Sequence, residues 1–236
     1  MRCPQNLILR ALPRDDLERL FPYLELVQLK PKRLLYHASV RVEHLYFIEE
    51  GLLSAVAKAD QRKSVAVWLI GPEGVSGLPL ILGEKITTYS RLVVVGGWAL
   101  RIRADDLRRA LQDIESLRTL LFRHIFAVVM QTAQSSACNL CHSLRQRFAR
   151  WMLLAHDRCK TDDLPITQEL IARLLGVRRA SVSECISWFE ERGIVRRSRG
   201  LVGIANRSRL EALSCSCYGL IRKEQEKMFR PIAPPQ

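Results

Sequence analysis

The sequence predicts an α+β chain in successive parts: a strand-rich N-terminal domain, one long apolar helix and a small helical domain with a basic hairpin. Three observations predict it. Between residues 26 and 102, short runs rich in Val, Ile, Leu and aromatics alternate with glycines and charged turns. From 114 to 136 there is neither Pro nor Gly, and apolar residues recur at three- and four-residue steps. After Thr167, a small residue, a glycine and an aliphatic residue fall at helix-turn-helix spacing.

Composition bounds the function. In 236 residues, 37 Lys+Arg against 24 Asp+Glu leave a net charge of +13. Hydrophobic residues make up 48% and charged residues 26%, a globular balance that excludes wholesale disorder. No run approaches the ~18 uncharged apolar residues of a membrane span. Leu7-Ile8-Leu9 is too short for the core of a secretion signal, so the cytoplasm is the expected location. Seven scattered cysteines read as free thiols, not as a disulfide framework. The basic excess points to a polyanionic partner, nucleic acid before membrane. It is uneven: net +5 over 1–103, zero over 104–141, +6 over 142–211 and +2 over 212–236. The neutral, apolar segment between two basic ones reads as a buried element.

Residues 6–24 read as short helical pieces broken by Pro13 and Pro22. Seven strands follow, at 26–29, 34–36, 45–48, 52–56, 64–70, 92–95 and 98–102, punctuated by Gly51, Gly71, Gly74, Gly77, Gly83, Gly96 and Gly97. They predict a β sandwich or barrel. A short helix is expected at 105–112 and a long one at 114–136. Leu117, Leu120, Leu121, Ile125, Val128 and Val129 form its apolar face, widened by Phe122, Phe126 and Met130. Such a helix is buried on most sides, in a core or against a copy of itself. Residues 143–158 form a further amphipathic helix, with Leu144, Phe148, Trp151, Met152 and Ala155 inward and Arg145, Arg147 and Arg150 outward. The tail after Phe229 reads as disordered.

The stretch 166–186 is the most informative. Thr167 is a good N-cap. Leu170, Ile171 and Leu174 share a face, and Ala172 is small enough for a close helix crossing. Gly176, four residues on, suits a left-handed turn, and Val182 packs the second helix back on the first. The second helix, about 179–192, exposes Arg178, Arg179, Ser181, Ser183 and Glu184 around its first turns. Arg makes bidentate contacts to guanine, Ser reaches phosphates or base edges, and Glu184 can accept from cytosine. Gly193 stops the helix. Ile194 to Ile204 then reads as strand, turn, strand, a basic wing whose Arg197 and Arg199 lie along a phosphate backbone with Thr167 and Gln168.

This order of parts resembles the Crp/Fnr superfamily of bacterial transcription regulators, over nearly the whole chain. The segments Gly71-Pro72-Glu73-Gly74-Val75-Ser76-Gly77-Leu78-Pro79, Ala137-Cys138-Asn139, Arg150-Trp151-Met152-Leu153 and Leu175-Gly176-Val177-Arg178-Arg179-Ala180-Ser181-Val182 are similar to a less studied branch of it. The resemblance implies a β-roll of the cyclic-nucleotide-binding jelly-roll kind at 1–103, helices ending in a dimerisation helix at 104–141, a winged helix-turn-helix at 142–207, and a C-terminal helix and tail at 208–236. It implies a homodimer on a palindromic site in double-stranded DNA, with RNA polymerase as protein partner and no membrane.

The departures from that pattern carry information. In the cyclic-nucleotide-binding members, an Arg-Ser or Arg-Thr pair holds the cyclic phosphate, and Thr87-Thr88 stand at its place here. Glu73 and Gly74 sit in the right loop, and Arg91 falls four residues beyond Thr87, in a strand. These four residues, Glu73, Gly74, Thr87 and Thr88, are the candidate effector contacts. A desolvated phosphate needs a cation, so cyclic AMP or GMP is not expected. The iron–sulfur cluster of oxygen-sensing relatives is not expected either, because no cysteine lies between Cys3 and Cys138. The effector is unknown. In the recognition helix only Arg179 matches the family's reading set.

Cys138, Cys141 and His142 form a second candidate site. Two of them on one helix face could be metal ligands or a redox pair, or simply small buried residues. Cys215 and Cys217 would point about 200° apart on a continuous helix, so at most one joins unless that helix is interrupted. The C-terminal helix is expected to start at a Ser208-x-x-Glu211 capping box and to pack on the winged domain. The other reading makes it a lock on the dimer helix near Cys138. None of the five histidines sits in a catalytic or zinc-hydrolase setting, and no enzyme is expected.

Overall fold

The computed structural model describes residues 3–58, 64–159 and 161–230. The expected disordered tail falls on 231–236, outside the described residues. Helices α1 (Leu7–Arg10) and α2 (Arg14–Leu20) open the chain. Asn6 sets where α1 begins. Its side-chain oxygen accepts from the Ile8 and Leu9 N–H groups, while its amide donates to the carbonyls of Ile48 and Gly74.

Strands β1 (Glu25–Leu29), β2 (Leu34–Tyr36), β3 (His44–Lys58), β4 (Ser64–Ile70), β5 (Val75–Ser76) and β6 (Ser90–Arg103) make one antiparallel sheet. Its order is β1-β6-β3-β4, with β2 paired to β6 and β5 to β3. The expected runs at 45–48 and 52–56 are fused in β3, and those at 92–95 and 98–102 in β6. The glycines between them do not end the strands. Gly51 has φ +101, and the β3–β6 register slips on either side of it. A Cβ at Gly51 would come within 2.7 Å of the Val95 carbonyl, and one at Gly97 would collide with the Glu50 carbonyl. These glycines are bulges, where the two backbones approach too closely for a side chain and the strands bend.

The sheet is covered on both sides. Phe47, Ile48, Leu53 and Ile70 pack with Ile8, Leu9, Leu117 and Leu121. Leu52, Val56, Leu69, Leu92 and Val94 pack in one cluster with Phe148, Met152, Ile171, Leu174 and other residues of the C-terminal domain. This explains the unbroken buried run from Gly51 to Val56.

After α3 (Leu78–Ile81), α4 (Ala104–Asp113) leads to α5 (Glu115–Cys141). The sequence left two readings of this long helix open, and its two faces divide them. Leu117, Leu121, His124, Ala127, Val128, Gln131, Ser135 and Cys138 are buried. On another face Phe122 (51%), Phe126 (60%), Val129 (56%) and Leu140 (88%) lie exposed.

The C-terminal domain comprises α6 (Leu144–His156), β7 (Asp163–Leu164), α7 (Gln168–Leu175), α8 (Arg179–Glu190), β8 (Val195–Ser198), β9 (Leu201–Ile204), α9 (Arg207–Leu213) and α10 (Cys217–Lys227). Strands β7, β9 and β8 form a small sheet in that order. Three expectations are corrected here. Arg150, expected to face outward, is buried, because every residue from Phe148 to Ala155 is covered; its Nη1 donates to Ser135 Oγ on α5 at 3.2 Å. The C-terminal helix starts not with a Ser208 box but with Asn206, whose extended backbone lets its side chain accept from the Arg209 N–H. That helix is also two helices, broken at residues 214–216. The second packs along α5: Gln225 donates to Gln131 at 3.3 Å, and Arg123 donates to the Met228 and Arg230 carbonyls. It lies on the dimer-helix candidate and not merely on the winged domain.

Candidate nucleic-acid interface

The helix-turn-helix is built as its spacing requires. The Thr167 hydroxyl accepts from the Leu170 N–H at 3.2 Å and starts α7. Gly176 (φ 67, ψ 34) ends it, and the Val177 N–H reaches back to the Ala172 carbonyl at 3.0 Å, closing a Schellman turn. Val182, Cys185, Ile186 and Phe189 bury the inner face of α8. The rings of Phe148 and Phe189 lie 5.3 Å apart, and Trp188 meets Phe189 edge-on. The guanidinium groups of Arg145 and Arg192 lie over the Trp188 ring, 4.3 and 4.0 Å from its centroid.

The outer face of α8 carries the expected residues. Arg178, Arg179 and Glu184 are exposed, and Ser181 and Ser183 are half-buried. Arg178 occupies the N-cap with an extended backbone, and no side chain caps the helix. The wing is a two-residue hairpin, with Ser198 opposite Leu201 and Arg199-Gly200 at the tip, where Gly200 has φ 77. Its arginines differ. Arg196 is held by Asp163 at 2.9 Å and by the Ile204 carbonyl at 3.1 Å. Arg197 pairs with Glu190 at 2.9 Å. Arg199 is exposed and has no ion pair among the described residues. One open groove collects Thr167, Gln168, Arg179, Arg197 and Gly200. It therefore joins the start of the helix-turn-helix to the wing. Arg178, Ser181, Ser183, Glu184 and Arg199 lie outside that lining.

The domain sits on its own β-roll. A Cβ at Gly176 would lie 3.3 Å from Val65 Cγ2, so α7 rests on β4. Arg158, just after α6, donates to Glu73 at 2.7 Å with side chains only 2% and 15% exposed. Glu73 also accepts from the Gly71 N–H.

The candidate effector residues do not form a single set. Glu73 is engaged by Arg158. A side chain at Gly74 would collide with the His124 ring. Thr87 is buried, accepting from the Tyr89 N–H, whereas Thr88 is exposed. His124 Nε2 accepts from the Val75 N–H at 3.2 Å, and burial pushes its imidazole down to about 4. What sequence reasoning placed only as a strand residue is the cation inside the roll. Arg91 is 1% exposed and donates Nε to Tyr36 Oη and Ser76 Oγ, both at 3.1 Å. Its guanidinium lies 4.6 Å from the Trp68 ring, and its Nη1 has no partner. The signal for it was one Arg directly before the apolar run 92–95.

Cys138 and His142 come together as the sequence allowed, but Cys141 is exposed and outside the group. Cys215 and Cys217 take its place, because the helix is broken at residues 214–216, which places Cys215 in the break and Cys217 at the start of α10. The Cys138 and Cys215 sulfurs are 3.5 Å apart, and Cys217 Sγ is 3.6 Å from His142 Nδ1. The hydrogen bond from Cys138 holds the Cys215 thiol below the ordinary thiol range and Cys138 above it. By contrast, burial pushes Cys159 and Cys185 up to about 12 and about 11.

Among the described residues no helix is long and apolar enough to cross a membrane. Residues 26–113 match the cyclic nucleotide-binding domain family, and residues 146–213 match the Crp-like helix-turn-helix domain family. The chain is 22% identical over 203 residues to the HTH-type transcriptional regulator Cmr of Mycobacterium tuberculosis (strain CDC 1551 / Oshkosh), covering 85% of this chain and 81% of that protein. Its fold is similar to a putative transcriptional regulator of the Crp/Fnr family from Eubacterium rectale ATCC 33656, with TM-score 0.68, 18% identity and coverage of 87% and 96%. It is also similar to FixK2 from Bradyrhizobium japonicum, with TM-score 0.66, 15% identity and coverage of 81% and 98%. A cyclic-nucleotide-binding-type β-roll, a long helix and a Crp-like helix-turn-helix follow one another along this sequence, and the chain belongs to the Crp/Fnr family of DNA-binding transcription regulators.

Proposed function

We propose that two copies pair through α5 and place the two α8 N-termini in successive major grooves of a palindromic site. The observation that carries this is the groove that brings Thr167, Gln168 and, at the start of α8, Arg179 together with Arg197 of the wing, flanked by the exposed Arg178 and Arg199. Arg178, Arg179, Ser181, Ser183 and Glu184 face base edges. Thr167, Gln168, Arg197 and Arg199 face phosphates. The uncapped N–H groups of α8 add a positive dipole end. The exposed Phe122, Phe126 and Val129 supply the apolar seam between protomers. RNA polymerase is the protein partner expected of such a regulator, and the cytoplasm its place of work. The signal it answers to is an effector other than cyclic AMP: Thr87 and Thr88 stand where the cyclic-nucleotide-binding members carry the Arg of their pair, and the buried Arg91 is engaged by Tyr36, Ser76 and the Trp68 ring.

Binding to a palindrome, measured against salt, tests this reading. Arg179→Ala costs about 1–3 kcal/mol and relaxes specificity at one base pair in each half-site. Arg199→Ala weakens all sequences alike and flattens the salt slope. Equal affinity of Arg179→Ala and wild type for the cognate site refutes the base-reading role. A flat salt dependence of the wild type refutes DNA as the partner and favours a sensor that docks on protein.

A further inference from the structure

We infer that Cys138, His142, Cys215 and Cys217 form a tetrahedral metal site, with zinc(II) as its ion. Tetrahedral zinc with sulfur at about 2.3 Å and nitrogen at about 2.0–2.1 Å holds its donors about 3.5–3.8 Å apart. The two recorded separations, Cys138 Sγ to Cys215 Sγ and Cys217 Sγ to His142 Nδ1, are 3.5 and 3.6 Å. All four donor atoms lie within 4.8 Å of one another. A disulfide would need sulfurs about 2 Å apart and would leave the third thiol and the imidazole without a role.

The chain departs from regular structure to assemble this set. Two cysteines two apart cannot face one point from a continuous helix. The helix is broken between α9 and α10, and both sulfurs turn toward the end of α5. The three buried thiols stand apart from the two aliphatic cores, as a cluster of sulfur alone. The surroundings suit a metal thiolate. Gln134 donates to Cys217 Sγ at 3.0 Å. Three thiolates around a divalent ion leave one negative charge. Arg150, 6% exposed, donates to Ser135 Oγ at 3.2 Å one helical turn before Cys138, has an Nε without partner, and forms no carboxylate pair among the described residues. A buried cation of this kind needs an anion, and the occupied site is one. Loading transfers three thiol protons to water, with no change of oxidation state. Three soft sulfurs and an imidazole, without a carboxylate, discriminate against magnesium and calcium.

The site spans a hinge. His142 caps the end of α5, and Ser143 starts α6 and the DNA-binding domain. An ion there ties the end of α5 to the break between α9 and α10 in the C-terminal domain, so occupancy fixes the angle at which that domain leaves the dimer helix. This regulatory part rests on the DNA-binding reading; the metal site does not.

Cobalt(II) titration of the full reduced, metal-stripped chain tests the site. The expected result is a tetrahedral spectrum with thiolate-to-cobalt charge transfer, saturating at one equivalent per chain and bleached by zinc. Cys215→Ser and Cys217→Ser should weaken binding by more than about 100-fold, beyond the loss of an outer-sphere contact. Cys141→Ser and Cys3→Ser should match the wild type. An octahedral spectrum without charge transfer, no uptake, or equal uptake by Cys215→Ser overturns the site, using wild type alone in the first two cases. A Cys138–Cys215 disulfide in anaerobically purified protein that takes up no metal overturns it in favour of a redox pair. Operator affinity measured with and without zinc reads the coupling. Unchanged affinity overturns the regulation, and absence of DNA binding in both forms overturns the DNA reading, while the cobalt spectrum reports independently of both.

Discussion

The ion pair between Arg158 and Glu73 joins the DNA-binding domain to the β-roll, and its cost of disruption can be worked from its geometry. At 2.7 Å and an effective dielectric near 20, the two charges attract by about 6 kcal/mol. Desolvating two ions costs several kcal/mol each, so the intact pair contributes little net stability. Removing one partner is different, because the other stays behind: Arg158 is 2% exposed, and its Nη2 already lacks a partner. Glu73→Gln should destabilise by about 3 kcal/mol, the low end of the usual range, because some water reaches the carboxylate. Arg158→Met should cost a similar amount. The double variant should lie within about 1 kcal/mol of wild type, since no buried charge is left uncompensated. Urea denaturation at one fixed protein concentration measures the three variants, as dimer stability depends on concentration. Additive single effects, with coupling below about 0.5 kcal/mol, would refute a shared buried pair.

The other predictions follow from single residues. An unfolded imidazole titrates near 6.5 and the buried His124 near 4, so between those values the unfolded chain binds the extra proton. Stability is therefore complete above about pH 6.5, falls as pH drops toward 4, and loses about 3 kcal/mol in all. A His124→Gln variant should flatten that stretch of the pH–stability curve; an unchanged slope counts against the assignment. Gly176→Ala places a Cβ in a left-handed conformation 3.3 Å from Val65 Cγ2 and should cost about 1–2 kcal/mol by denaturation; no loss would contradict that backbone role. Phe126→Glu with Val129→Glu should yield monomers in sedimentation at micromolar concentration, and an unchanged dimer would remove the α5 seam.

What could be read from the sequence and what could not divide along the range of the interactions. Thr167 capping α7, Gly176 closing it and Val182 returning α8 all lie within one 16-residue stretch, so their spacing carried the geometry. The strands were found but their fusion was not. Gly51 and Gly97 have the same composition signal as turns, and only the closeness of the opposite backbone makes them bulges. Arg150 looked like an outward charge on an amphipathic helix because the periodicity of α6 does not reveal that α5 covers its other flank.

The order and kind of the parts and the exposure of the basic residues on α8 and the wing were thus set by local chemistry: caps, turns, apolar period and charge density. The partners of Arg158, the rings and hydroxyls around Arg91, the α10–α5 contact and the meeting of Cys138 and His142 with Cys215 and Cys217 were settled by packing. Groups that meet from different elements carry no mutual spacing to read. They meet because buried apolar faces fix where each element lies, and their chemistry follows from that placement.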